Sequence, residues 1–125
     1  MHAAADRIVP VSLELGGKSP AIVFPDSDDQ KTVDGVITGM RMTRQGQSCT
    51  AGSRLFLHRK IFDSFLAKLQ ATLATLKIGD PLDEVTDMGT IINKKQFDRV
   101  CGYIGDGLRQ DSVRVVIGEI GRAHV

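Results

Sequence analysis

The chain has 125 residues, a formal net charge of +1 and 42% hydrophobic residues, a composition that allows one ordinary buried core. A charge so close to neutral excludes a basic nucleic-acid surface, and no apolar run is long enough to span a membrane. Residues 1–7 lack the apolar stretch of a signal peptide, so we expect a cytoplasmic protein. Its two cysteines are too few for a disulfide framework.

The first predicted elements are two strands separated by a glycine pair. Apolar residues alternate over 9–15, which predicts a strand with Glu14 on the face opposite its apolar neighbours. Gly16 and Gly17 then allow a close turn, and the apolar run over 21–24 predicts a short buried strand.

A helix is predicted next, over residues 28–42. Ser27 followed by Gln30 fits a capping box, and apolar residues recur at helical spacing behind it. Gly35 and Gly39 lie one turn apart on this helix, and each weakens a helix interior by roughly 1 kcal/mol. We therefore expect the two glycines to pack closely against a neighbouring element.

The remaining elements alternate in the same way. A strand is predicted over 54–58, and an apolar stripe over 62–76 indicates a second helix. Asn93 followed by Gln96 offers the cap of a third helix, and a last strand is predicted over 113–117. Strands alternating with helices indicate an α/β layer with a mainly parallel sheet.

Two residues carry candidate chemistry. Cys49 lies in the turn GQSCTAG over 46–52, whose small side chains leave backbone amides able to face the sulfur, and Glu14 lies in LELGGKSP over 13–20. A thiolate that attacks a carbonyl and a carboxylate that activates water are sufficient to make and hydrolyse a thioester. Composition alone leaves open a structural cysteine and a solvated glutamate. Cys101, inside an apolar helical stripe, is expected to be a packed and inert thiol.

The two segments resemble the glutamate and cysteine signatures of the NAD(P)-dependent aldehyde dehydrogenase family. They occur in the family's order, 49 − 14 = 35 positions apart, and the familiar pattern continues through Arg54. The resemblance runs from about residue 9 to 118. One departure is Met42, where members usually carry an aromatic or smaller aliphatic residue, and this bears on the shape of the pocket.

The resemblance implies a partial catalytic domain, with flanking helices on a mainly parallel sheet and the cofactor domain largely absent. Residues 1–15 are expected to end the cofactor-domain side, and residues 16–118 to form part of the catalytic domain. No Gly-x-Gly-x-x-Gly phosphate loop occurs, so no cofactor-binding residue is assigned. Residues 119–125 continue no pattern of the family, and we predict a non-native tail there, with a divergent native loop as the alternative.

The resemblance also implies a reaction, the oxidation of a small-molecule aldehyde to a carboxylic acid with NAD or NADP. Cys49 is implied as the nucleophile that forms a thiohemiacetal and then a thioester, with its backbone amide at the oxyanion. Glu14 is implied as the general base that activates water. The fragment is expected to be inactive alone, the full-length enzyme to be a homo-oligomer, and neither a metal, nor a nucleic acid, nor a membrane to be involved.

Two other functions stay open. A truncated, non-catalytic interaction module of the same fold agrees with the missing nucleotide site. A thiol esterase would use Cys49 and Glu14 without nicotinamide. Such an enzyme normally needs a histidine base, and no motif supports His2, His58 or His124 in that role.

Overall fold

The computed structural model describes residues 2–118, in which helices and strands alternate. In chain order these are α1 (His2–Ala5), β1 (Ser19–Val23), α2 (Gln30–Met40), β2 (Gly52–Leu57), α3 (Phe62–Leu73) and α4 (Lys94–Leu108). Short 3-10 turns over Pro25–Ser27, Met42–Arg44 and Arg59–Ile61 flank α2 and precede α3. The order confirms the predicted α/β class. The predicted tail over 119–125 lies outside the described residues.

The two strands form a parallel pair, and α2 is the connection between them. Ser19 is opposite Gly52, but Pro20 is opposite Arg54, and the pairing then runs evenly to the end of β1. Ser53 is therefore an extra residue, which makes a β-bulge at the start of β2. This parallel pairing confirms the predicted orientation of the sheet.

The core lies between the sheet and the helices α2 and α3. Its buried cluster consists of Val23, Val33, Val36, Ile61, Phe65 and Leu69. Phe65 and Val33 are completely buried. Each comes from the apolar stripe of its helix, so the predicted helical spacing does select the residues that pack.

The start of α2 differs from the predicted capping box. The cap is Asp29, whose carboxylate accepts a hydrogen bond of 2.7 Å from the Thr32 backbone N–H. That hydrogen bond lowers the pKa of the Asp29 carboxyl. Ser27 is occupied in the preceding 3-10 turn, where its hydroxyl hydrogen-bonds Asp26, and the helix consequently begins at Gln30 rather than at residue 28.

The predicted close packing at the helix glycines is not found among residues 2–118. A Cβ added to Gly35 or to Gly39 would meet no atom within 4 Å. The close approach involves Gly52 instead, where an added Cβ would lie 3.5 Å from the Gly39 carbonyl oxygen. This distance is ordinary van der Waals contact, so the helix backbone passes close to the start of β2 without excluding a side chain there.

The predicted strands over 9–15 and 113–117 are wrong, since neither segment is a strand in the structure. A strand is held by hydrogen bonds to a neighbour, and within the described residues neither segment pairs with one. The alternating apolar residues are present, but those over 9–15 are exposed. The later segment is held by a side chain, because the Gln70 amide donates to the Val116 carbonyl oxygen at 2.6 Å.

The predicted helices over 62–76 and after Asn93 are confirmed as α3 and α4. Helix α3 ends at Leu73, three residues before the end of the predicted stripe. The Asn93 side chain accepts a hydrogen bond of 2.9 Å from the Gln96 backbone N–H, which is the predicted cap. Over residues 2–118, none of the helices combines the length and the apolar content that a bilayer crossing requires.

Candidate active site

The chain reaches Cys49 through two sharp reversals after α2. Arg41 ends the helix in the left-handed region with φ of 57°, and Gln45 and Gly46 follow with φ of 53° and 70°. Arginine and glutamine rarely adopt such angles, whereas glycine adopts them without steric penalty. The loop is held in this shape by the Gly46 N–H, which donates to the Arg41 carbonyl oxygen at 3.1 Å.

Cys49 itself is in a tight turn just before β2. The Ser48 carbonyl oxygen accepts a hydrogen bond of 3.1 Å from the Ala51 N–H, so Cys49 and Thr50 are the two central residues. The hydroxyls of Ser48 and Thr50 are 3.1 Å apart and share a hydrogen bond. The cysteine is exposed and is not in a disulfide. Within residues 2–118 its backbone N–H donates no hydrogen bond, and the amide is therefore available to an acceptor.

Glu14 is in the extended segment that precedes β1. This segment has no regular structure, and the glutamate is exposed. No hydrogen bond joins Glu14 to Cys49 in the part of the chain that the structure describes. Side chains at Gly16 and Gly17 would meet nothing within 4 Å, so these glycines leave open space beside the backbone that follows Glu14.

The sheet nevertheless brings the two motif segments to one edge. Because β1 and β2 are parallel and Ser19 is opposite Gly52, their amino-terminal ends lie side by side. Glu14 precedes β1 by 19 − 14 = 5 residues, and Cys49 precedes β2 by 52 − 49 = 3 residues. The segments that carry Glu14 and Cys49, which are 35 positions apart in sequence, therefore lead into neighbouring strands.

A side chain from β2 links the two segments directly. The Arg54 Nε donates a hydrogen bond of 2.8 Å to the Lys18 carbonyl oxygen, at the end of the glutamate segment. Its guanidinium carbon also lies 5.6 Å from the centroid of the Phe56 ring. The sequence marked Arg54 only as part of a familiar pattern. Its contact with Lys18 depends on the strand register, which the sequence does not reveal.

A cavity of about 790 Å³ opens beside the cysteine turn. Its lining is largely apolar and includes Met40, Met42, Ala51, Ile78, Met88, Ile91 and Phe97. Met42 lies in this wall, and neither Cys49 nor Glu14 is among the lining residues. The Gln45 amide donates to the Gly89 carbonyl oxygen at 3.1 Å and joins the cysteine loop to the opposite wall. Sequence reasoning did not identify that wall, since residues 78–91 contain no periodic pattern.

No metal site is formed by the described residues. No group of three or more histidine, cysteine or acidic side chains is placed to hold a metal ion between residues 2 and 118. The sequence has no Gly-x-Gly-x-x-Gly loop, and we assign no residue of this chain to the binding of NAD or NADP.

Known proteins that are similar to this chain belong to one family. Residues 1–124 match the aldehyde dehydrogenase family. The chain is 43% identical over 117 residues to aldehyde dehydrogenase 1 of Tanacetum cinerariifolium, covering 94% of this chain and 23% of that protein. It is 48% identical over 104 residues to hydroxyisobutyraldehyde dehydrogenase of Mycolicibacterium austroafricanum, covering 83% of this chain and 20% of that protein.

The fold agrees with a solved structure, that of an NAD+ complex of an aldehyde dehydrogenase from Bacillus cereus. The TM-score is 0.81 at 38% identity, covering 94% of this chain and 23% of that one. The chain thus spans about a quarter of the length of the proteins it matches. On the match over nearly all of its residues, the chain belongs to the aldehyde dehydrogenase family.

Proposed function

We propose that the full-length protein containing this chain oxidises an aldehyde to a carboxylic acid with NAD or NADP. The observation that supports this best is the position of the two motif segments, which enter adjacent parallel strands and are joined by the hydrogen bond from Arg54 to Lys18. Family membership supports the class of reaction, and the two segments supply a nucleophile and a base.

Cys49 is the nucleophile in this proposal. Its sulfur forms a bond to the aldehyde carbon, and the carbonyl oxygen becomes the oxyanion of a tetrahedral thiohemiacetal. The tight turn supports this role in two ways. The thiol is exposed, and the Cys49 N–H donates no hydrogen bond within residues 2–118 and can stabilise the oxyanion.

Glu14 is the base for the second half of the reaction. Bound NAD or NADP supplies the hydride acceptor, and loss of hydride from the thiohemiacetal leaves a thioester on Cys49. Glu14 then takes a proton from a water molecule, whose oxygen attacks the acyl carbon. The carbon–sulfur bond breaks, and the carboxylic acid and the cysteine are released.

The test compares three variants of the full-length protein. Cys49→Ala should abolish both aldehyde oxidation and any ester hydrolysis, because both need the sulfur. Glu14→Gln should let the thioester form and then stall, which gives a burst of about one reduced nicotinamide per subunit followed by slow turnover. Cys101→Ala is the matched control, and it should keep near-normal turnover because this half-buried thiol lies on α4, outside the cysteine turn.

Two results would contradict the proposal. If the unmodified full-length protein reduces neither NAD nor NADP with any of a panel of aldehydes, it is not a dehydrogenase. If Glu14→Gln turns over normally, Glu14 is not the base, although Cys49 can still be the nucleophile.

A further inference from the structure

We infer that Arg54 is a positioning residue, which holds the glutamate segment against the cysteine-bearing strand so that Glu14 can act on the thioester. This inference rests on the proposed function and adds to it a residue that acts through Glu14. It starts from the hydrogen bond of 2.8 Å between the Arg54 Nε and the Lys18 carbonyl oxygen.

Arg54 is the first residue of β2 in regular pairing after the bulge at Ser53. In a regular strand neighbouring side chains face opposite sides, but Ser53 and Arg54 are both exposed. Alternation resumes at the next residue, where Leu55 is half-buried and Phe56 is exposed. Arg54 and Phe56 therefore share the open face of β2, and the register places Arg54 opposite Pro20, two residues from Lys18.

The glutamate segment has few other attachments. Outside the sheet ladder, the bond from Arg54 is the hydrogen bond that holds residues 10–18 within the described chain. Lys18, which accepts it, is four residues after Glu14, and the two glycines between them add no side-chain contact. Loss of this anchor would therefore allow the carboxylate to move relative to the sheet edge.

Arginine suits this role better than lysine. Its guanidinium is planar and has several fixed donors, so Nε can hold the carbonyl oxygen while the flat group rests near the Phe56 ring, 5.6 Å from the centroid. A lysine ammonium could reach the same carbonyl oxygen only from a flexible stem. The Arg54→Lys variant should therefore recover part of the function.

The two halves of the reaction should respond differently to loss of Arg54. Cys49 is held by its own turn, through the bond between Ser48 and Ala51, and does not depend on the Arg54 side chain. The position of Glu14, in contrast, depends on the hydrogen bond between Arg54 and Lys18. Formation of the thioester should persist without Arg54, whereas hydrolysis of the thioester should slow.

The experiment uses the full-length protein and measures the burst of reduced nicotinamide and the steady-state turnover separately. Arg54→Ala should keep the rate of the burst within about twofold of the unmodified enzyme and lower turnover by about 10- to 100-fold, as expected for a displaced catalytic group. The turnover of Arg54→Lys should lie between the turnover of Arg54→Ala and that of the unmodified enzyme. Arg59→Ala, an exposed arginine on the 3-10 turn before α3, is the matched control and should leave both unchanged.

A double variant separates positioning from general stability. If Arg54 acts through Glu14, Arg54→Ala combined with Glu14→Gln should turn over no more slowly than Glu14→Gln alone. The inference is overturned if burst and turnover fall together, or if the two losses multiply. Should Arg54→Ala fail to fold, Arg54→Lys decides by the same two measurements. Absence of nicotinamide reduction by the unmodified protein would instead refute the proposed function itself.

Discussion

Residues 19–73 and the segments on either side of them differ in burial more than in sequence pattern. Every buried residue that the structure describes lies between Val23 and Leu69. Helix α4 has an equally clear apolar stripe and a cap at Asn93, yet none of its residues is buried. The difference shows that a periodic pattern predicts a helix, whereas burial requires a second surface to pack against.

The candidate site contains residues from both the packed region and a flanking segment. Cys49 belongs to the packed region, since its turn lies between α2 and β2, while Glu14 lies in a flanking segment. Arg54 is the side chain that joins the two. Experiments on the 125-residue chain can test whether the packed region and its flanking segments differ in stability as well as in burial.

Truncation of the core should have the largest effect on stability. Phe65→Ala removes a completely buried ring and should lower the free energy of unfolding by about 3–5 kcal/mol, because it leaves a cavity. Ile104→Ala in α4, where the side chain is 44% exposed, is the matched control and should have a much smaller effect. Urea titration measures both. Equal losses would remove the distinction between the two regions.

Two glycine substitutions within the packed region should have opposite signs. Gly46→Ala forces a side chain into a backbone with φ of 70° and should destabilise the chain by about 1–2 kcal/mol. Gly35→Ala, in the interior of α2 with open space around it, should stabilise it by up to about 1 kcal/mol. Denaturant midpoints compare the pair. Stabilisation by Gly46→Ala would show that the cysteine loop does not need its left-handed residue.

Removal of the α4 cap tests whether this helix unfolds independently of α2 and α3. Asn93→Ala removes an acceptor for the Gln96 N–H and should destabilise the helix by about 1 kcal/mol. Because α4 buries no residue, we expect faster hydrogen exchange near its start and little change at α2 or α3. Asn93→Asp keeps the cap and should behave like the unmodified chain. Faster exchange throughout α3 would show that the helices are coupled.

The smallest effect concerns acid stability at the junction of α2 and α3. Hydrogen bonds from Ser64, at 2.6 Å, and from Lys68 lower the pKa of the Asp28 carboxyl below its ordinary value of 3.8. Because the folded pKa is the lower one, the stabilisation is present above pH 3.8 and is lost as the pH falls through the folded value. Ser64→Ala should therefore weaken the dependence of stability on pH in this acid range, as measured by thermal melting. An unchanged profile would mean that Ser64 does not hold the pKa of Asp28 down.

The sequence predicted what depends on neighbours along the chain. Helix α3 and the cap at Asn93 agree with the structure, because helical spacing and capping act within a few residues. The strands over 9–15 and 113–117 were predicted on equal grounds and are absent, because a strand needs a distant partner. The cap is Asp29 rather than the predicted Ser27, a shift of two residues, because the Ser27 hydroxyl is already hydrogen-bonded to Asp26.

Of the candidate site, the sequence identified the two motif segments. It did not reveal that their segments lead into the sheet side by side, nor the hydrogen bond from Arg54 to Lys18, because both depend on register. The approach of the Glu14 carboxylate to the Cys49 sulfur stays a prediction, tested by the burst experiment above.

The parallel pairing has a consequence for the order in which activity appears. Ser19 and Gly52 are neighbours in the sheet but 52 − 19 = 33 residues apart in the chain, so the whole of α2 must be synthesised and closed before they meet. A nascent or partly unfolded chain therefore carries the proposed nucleophile without its proposed base. Under the proposed mechanism, such a molecule could form only the reversible thiohemiacetal with an aldehyde, because the thioester requires hydride transfer to bound NAD or NADP.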